Sequence, residues 1–189
     1  FAELNSLENE NAVESSITIS IAEIDVQIQK IEKSNWNKFK VKCNGFSQEN
    51  FEKLISLNQK IALDSNASFT EKDCIWLQEN PDSEKLMYIE QPLEIGNFKV
   101  LEKNKFANWM ADEDAQNVEI LEKLVPHYKS VNIKLMKCGG LTPALEFIQK
   151  AKNLDFKIML GCMTESSVGI SAGCALAELL DYADLDGAN

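Results

Sequence analysis

The sequence predicts an α/β fold, a barrel of parallel strands wrapped by helices, on three observations. Short apolar runs alternate with helically spaced segments along most of the 189 residues, and alternating β and α elements imply a parallel sheet. Charged residues close these runs at a regular interval: Lys42, Asp64, Glu90, Asp112, Lys134 and Asp184 lie 22, 26, 22, 22 and 50 residues apart, the last spanning two units with a run ending at Cys162 between them. A strand with its crossover helix takes roughly 20 to 30 residues, and parallel α/β proteins gather their chemistry at the carboxyl ends of the strands. Eight runs can be traced, which favours closure into a ring over an open doubly wound sheet.

Residues 1–15 are rich in Glu, Asn and Ser and read as a lead-in, leaving 16–189 as one barrel domain. The β-branched run Ile17–Ile21 opens the series, and Ala22–Lys33 follows with Ile24, Ile28 and Ile31 at helical spacing. Strand Phe39–Lys42 leads to a helix opened by Ser47, with Phe51, Leu54 and Ile55 on one side. Strand Ile61–Asp64 precedes a helix from Thr70, whose hydroxyl can cap it, with Asp73 three residues on completing a capping box. Leu86–Glu90 is halted by Pro92, and a weak helix over Phe98–Leu101 precedes strand Phe106–Asp112. Helix Val118–Leu124 and strand Val131–Met136 come next. Gly139 and Gly140 then turn the chain into a helix with Thr142 as N-cap and Pro143 at its first position. Lys157–Cys162, a helix over Gly169–Leu180, and Tyr182–Asp186 close the series.

Composition sets the limits. At 44% hydrophobic the chain can bury a sizeable core, and its formal charge of −11 argues against nucleic acid, which needs clustered Lys and Arg. No apolar run approaches the roughly 20 residues that span a bilayer, so no membrane partner is expected. Five cysteines without a CxxC pair and a single histidine, His127, are too little for a Cys/His zinc site. They read as reduced thiols of a cytoplasmic protein. An eight-unit barrel usually takes about 250 residues and this chain starts at Phe1, so a piece of a longer protein is expected. A homo-oligomer stays open.

Lys40 and Lys42 flank Val41, so both ammonium groups point to one face of their strand, the barrel interior. An apolar interior does not take two lysines without anionic company. Asp64, Glu90 and Asp112, ending the next three strands, supply it. Three neighbouring carboxylates repel one another unless a cation sits among them, and all-oxygen ligation suits Mg²⁺, with Mn²⁺ as the alternative. Lys134 ends the sixth strand, four places from the second in a ring of eight, so it faces Lys42 across the mouth. A substrate carboxylate on the metal would then present its α-carbon between two amines, one removing the α-proton and the other returning a proton to the opposite face through an enediolate. Charge from Lys40 and the metal, together with burial, is expected to depress the pKa of Lys42. Asp184 and Asp186 on the last strand would bind a cationic group such as an α-ammonium, and Cys162, Met163 and Thr164, with Glu165, border the same pocket.

These residues resemble the enolase superfamily, specifically its muconate lactonizing subgroup and most closely the dipeptide epimerases. The resemblance runs from about Ile17 to Gly187 and rests on Lys40-Val-Lys42, Leu63-Asp64-Ser-Asn66, Ile89-Glu90-Gln-Pro92, Met110-Ala-Asp112-Glu113, Ile133-Lys134 through Gly140, Gly161-Cys-Met-Thr-Glu165-Ser and Asp184-Leu-Asp186-Gly187. It implies a modified (β/α)7β barrel, Mg²⁺ on Asp64, Glu90 and Asp112, Lys42 and Lys134 as the acid/base pair, Lys40 assisting the substrate carboxylate, and Asp184 with Asp186 on a dipeptide's ammonium. The implied reaction is epimerisation of the C-terminal residue of a dipeptide such as L-Ala-D/L-Glu, in peptidoglycan-peptide recycling. The subgroup's other reactions, o-succinylbenzoate synthesis, N-acylamino acid racemisation and cycloisomerisation, share the lysines and carboxylates, and a non-catalytic barrel is a third reading. Family members also carry an N-terminal α+β capping domain. At most its last helix would be represented here, by Phe1 to Asn11, and the interval from Lys42 to Asp64 is shorter than the family pattern.

Overall fold

Eight strands, each followed in the sheet by its neighbour in sequence, make one parallel sheet in a computed structural model that describes residues 13–188. They are β1 (Ile17–Ile19), β2 (Lys38–Lys42), β3 (Lys60–Asp64), β4 (Ile89–Glu90), β5 (Trp109–Ala111), β6 (Ser130–Lys134), β7 (Lys157–Gly161) and β8 (Tyr182–Asp184). The ring closes at a thin seam: Ser15 bridges Ala183 in parallel, the Ser16 amide donates to the Ala183 carbonyl at 2.9 Å, and the Thr18 amide donates to the Asp186 carboxylate at 2.7 Å. A carboxylate thus completes a backbone ladder where β8 has ended, which satisfies an amide that would otherwise lack a partner. The expected capping-domain remnant at Phe1 to Asn11 lies outside the described residues.

Period-two alternation divides the apolar residues into two sets. Phe39, Val41, Ile61, Leu63, Ile89, Trp109, Val131, Ile133, Ile158 and Leu160 point outward into the main core beneath the helices. Ala62, Tyr88, Met110 and Met159 form a separate buried cluster, with Met87 and Tyr182 against it. Ala62, Tyr88 and Met110 each stand two residues before an acid, Asp64, Glu90 and Asp112 respectively, so they share the inward face with it. The barrel interior is therefore layered, apolar below and ionic at the carboxyl ends.

The helices are α1 (Ile24–Glu32), α2 (Gln48–Ile55), α3 (Glu71–Glu79), α4 (Leu121–Leu124), α5 (Leu135–Cys138), α6 (Leu141–Asn153) and α7 (Ser167–Cys174). Thr70 and Asp73 form the expected capping box, and Ser47 caps α2. Several boundaries differ from the sequence reading. β1 stops at Ile19, leaving Ile21 exposed, and α1 starts at Ile24 behind Glu23. β4 and β5 shrink to two and three residues, because a bend at Leu86 and Met87 and irregular chain around Phe106 take up the rest.

The run Val131–Met136 does not stay extended: Leu135–Cys138 coils into α5, which ends at Gly139 with φ 96°. Gly140, not Thr142, caps α6, and Pro143 is its third residue, still in the turn whose amides have no intrahelical acceptor. α7 is capped by Ser166 and ends at Cys174, and a separate 3₁₀ turn covers Ala177–Leu179. β8 ends at Asp184, so Asp186 lies beyond it.

Cys74 on α3 is fully buried, while Cys174 is exposed. Burial pushes the Cys74 thiol up to about 12, against 9.0 unperturbed. An acid whose folded pKa is raised loses its proton first in the unfolded chain, so the folded state is favoured less as pH climbs from 9 toward 12. Urea unfolding across that range should show the Cys74→Ala variant declining less steeply than the parent, by at most about 1.4 kcal/mol per pH unit. Thiol titration of the native protein should label Cys174 rapidly and Cys74 only on unfolding.

Candidate active site

On β2 the fully buried Phe39 and Val41 pack outward, which turns Lys40 and Lys42 into the ring. Register then sets their company: Lys42 lies opposite Asp64, and Asp64 opposite Glu90. The Lys40 ammonium, buried in the interior, stands 3.5 Å from Asp64 and 3.4 Å from Glu90 and hydrogen-bonds Asp184. Burial works against its charge, but Glu90, Asp184 and Asp64 outweigh that cost and hold its pKa well above the ordinary lysine value.

Glu90 sits deepest. Burial, joined by repulsion from Asp64, Asp112 and Asp184 and opposed by Lys40, pushes its carboxyl up to about 8. One oxygen accepts from Asn132 Nδ2 at 2.7 Å, and the other, Oε2, has no hydrogen bond. Asp112 follows β5 and takes two ammonium groups, Lys134 at 2.5 Å and Lys137 at 2.7 Å. Burial alone would raise the Asp112 pKa; the two lysines reverse the sign and lower it. Its partner Lys134 is raised in turn, because the pull of Asp112 exceeds the effect of burial.

Lys42 reaches Asp64 at 3.2 Å and the Asn66 side-chain oxygen at 3.0 Å. Its side chain is 34% exposed, so the burial expected of it falls on Lys40 instead. Asp184 is buried under Ser16, Thr18 and Lys40, and Asp186 also binds Thr18.

A cavity of about 340 Å³ opens over these groups. Lys40, Lys42, Asp64, Lys134, Cys162, Met163, Thr164, Asp184 and Asp186 all line it, while Glu90 and Asp112 are buried and do not. A larger cavity, about 520 Å³ around Glu84, Lys129 and Lys157, lies at the opposite, amino ends of the strands, away from this chemistry.

The expected three-carboxylate cage is not preformed. Among the described residues no three acidic, histidine or cysteine side chains converge as ion ligands. The chain's own ammonium groups balance the acids instead: Lys40 stands between Asp64 and Glu90, and Lys134 and Lys137 draw Asp112 aside. The residues still fit a hard divalent cation. All three are oxygen donors at the carboxyl ends of consecutive strands, and Glu90 offers a buried oxygen with no hydrogen bond.

Asn132 and Lys137 carry no sequence signal of their own. Asn132 could have been found as the inward neighbour of Lys134, two residues before it on β6. Lys137 could not, because its reach depends on α5. Glu113, which also lines the cavity, has a buried oxygen without a partner and a pKa raised by burial and by Asp112.

Residues 23–185 match the family model described as enolase C-terminal domain-like. The chain belongs to that family. It is 36% identical, over 95% of its length and 55% of the relative's, to the L-Ala-D/L-amino acid epimerase of Maribacter sp.. It superposes with a TM-score of 0.87 at 30% identity on an enolase family member from Agrobacterium tumefaciens with homology to dipeptide epimerases, crystallised with sodium and L-Ala-L-Glu, covering 99% of this chain and 59% of that one. A dipeptide epimerase from Methylococcus capsulatus complexed with Mg and L-Arg-D-Lys gives 0.84 at 27% identity, covering 98% and 57%. The chain spans about half the length of the curated relatives it matches.

Within this enolase-type barrel, Gly161 makes room for the site. A Cβ there would lie 2.6 Å from Asn132 Oδ1 and 2.8 Å from Nδ2. Gly161→Ala should therefore push Asn132 off Glu90 and cost about 1–3 kcal/mol in urea unfolding. Adding Asn132→Ala removes the clash and should recover part of that loss.

Proposed function

We propose that the protein epimerises dipeptides at the carbon α to the C-terminal carboxylate, with Lys42 and Lys134 as the two proton-transfer groups. The observation that carries this reading is the shared cavity: both lysines open onto it together with Asp184 and Asp186. Two amines and an acidic pair in one chamber match a zwitterionic substrate that presents an acidic C–H between them. The family membership and the epimerase relatives support the same reaction.

Each residue has a defined task. Asp184 and Asp186 hold the substrate's ammonium by charge-assisted hydrogen bonds, and Lys40 assists its carboxylate. Cys162, Met163 and Thr164 border the substrate. Lys134, protonated beside Asp112, is the competent acid in one direction, and Lys42, at the wetter side of the cavity, removes the proton. In the other direction the roles exchange. Asp64, Glu90 and Asp112 would hold Mg²⁺, or Mn²⁺ in its place, which supplies positive charge where the substrate carboxylate gains electron density. A cytoplasmic role on dipeptides released from peptidoglycan suits this chemistry.

Incubation with L-Ala-L-Glu in D₂O with Mg²⁺, followed by proton NMR, should show exchange of the C-terminal α-proton and appearance of the second epimer. Lys42→Ala and Lys134→Ala should each lower the rate by about 10²–10⁴, while Asp184→Asn acts mainly on KM. Exchange from both stereoisomers with either lysine removed would defeat the two-base reading. Formation of o-succinylbenzoate without dipeptide turnover would move the protein to another reaction of its subgroup.

A further inference from the structure

Gln91 follows Glu90 and is fully buried, touches no part of the cavity, and holds a left-handed φ of 35° that L side chains rarely adopt. Its groups explain the strain. The amide donates to the Met110 carbonyl at 2.9 Å, and the carbonyl accepts from the Ala67 amide and the Ser65 hydroxyl, both at 2.8 Å. The side-chain oxygen accepts from two amides at 3.1 Å, those of Asp112 and Asp114, and Nε2 donates to the Leu93 carbonyl at 2.8 Å and to Asp114 at 2.9 Å. Asp114 is fixed in turn by the Tyr128 hydroxyl at 2.7 Å and the Gly96 amide at 2.8 Å.

One side chain and its own peptide groups thereby tie together the segments leaving β3, β4 and β5. Those segments carry Asp64, Glu90 and Asp112. An apolar residue of equal volume would fill the space but leave the two amides without acceptors. We propose that Gln91 is a positioning residue: it sets the spacing of the three carboxylates, and does so chiefly through Oε1 on the Asp112 and Asp114 amides. This rests on the reading that these carboxylates hold the metal.

The test is calorimetric titration of the protein with Mg²⁺, alongside urea unfolding without metal. Gln91→Met should raise the Mg²⁺ Kd by about tenfold or more, the range seen when a ligand's supporting hydrogen bonds are removed. In an Asp112→Asn background the same change should alter Kd less than about twofold, because the two act on one ligand. Tyr128→Phe, which loosens Asp114 but leaves both amide bonds, should lower the unfolding midpoint and keep Kd within about twofold. The exchange Gln91→Glu with Asp114→Asn keeps the acceptor for the two amides and the net charge, reverses the bond between the two side chains, and gives up the donor to the Leu93 carbonyl. It should keep Kd within about threefold of the parent, and it decides the matter if Gln91→Met does not fold.

A Gln91→Met protein that binds Mg²⁺ normally while Asp112→Asn does not would overturn the proposal and leave the metal reading intact. A folded exchange variant weakened tenfold would overturn it as well. An Asp112→Asn protein that binds as tightly as the parent would overturn the metal reading, and the proposal with it.

Discussion

The arrangement of the site depends on one buried ammonium. Three carboxylates, Asp64, Glu90 and Asp184, meet inside a ring whose next layer down is Ala62, Tyr88, Met110 and Met159. Isolated charges in such a place are costly enough that they pair or change protonation state. Lys40 answers all three at once, and Glu90, the most crowded, answers by holding its proton more tightly. The alternation on β2 that places Lys40 there also places Phe39 and Val41 under the helices. The same two-residue period thus builds both the core and the electrostatics.

That period made much of the fold legible in the sequence. The eight runs, their charged ends and the crossover spacing are consequences of local geometry, and the strand order follows from them. Legibility failed where tertiary contacts decide. Leu135 and Met136 extend an apolar run and read as strand, yet the pair Gly139-Gly140 lets the chain coil into α5, and only then does Lys137 reach Asp112. β4 and β5 are shorter than their apolar runs for a similar reason: buried apolar residues such as Leu86 and Ala107 serve turns as readily as strands. Asn132 is not legible in sequence on its own, because a polar residue inside a strand has no meaning until its partner, Glu90, is known.

Pairing of acids by resident lysines changes what ion binding must involve. Asp64, Glu90 and Asp112 are not free carboxylates; each already has an ammonium within 3.5 Å. A divalent cation would compete with Lys40 for the first two and with Lys134 and Lys137 for the third. Its affinity is then a difference between two electrostatic states of the same pocket, and an acid oxygen without a hydrogen bond, as on Glu90, favours the exchange. Two of the lysines so displaced, Lys40 and Lys134, are groups that the proposed chemistry needs near substrate.

The same exchange accounts for the position of Asp184. In the structure its carboxylate is spoken for by Lys40, an internal ion pair at the floor of the cavity. A dipeptide carries an α-ammonium at one end and an α-carboxylate at the other, so on the proposed reading that carboxylate can engage Lys40 while the ammonium engages Asp184. One internal pair is then replaced by two intermolecular ones, and both Lys40 and Asp184 keep a counter-charge. A ligand with the carboxylate alone would leave Asp184 the Ser16 and Thr18 hydroxyls but no counter-charge, at the cost of an unpaired buried anion. Preference for a free ammonium then follows from charge balance as well as from contact, which is how a buried ion pair can act as a selectivity element.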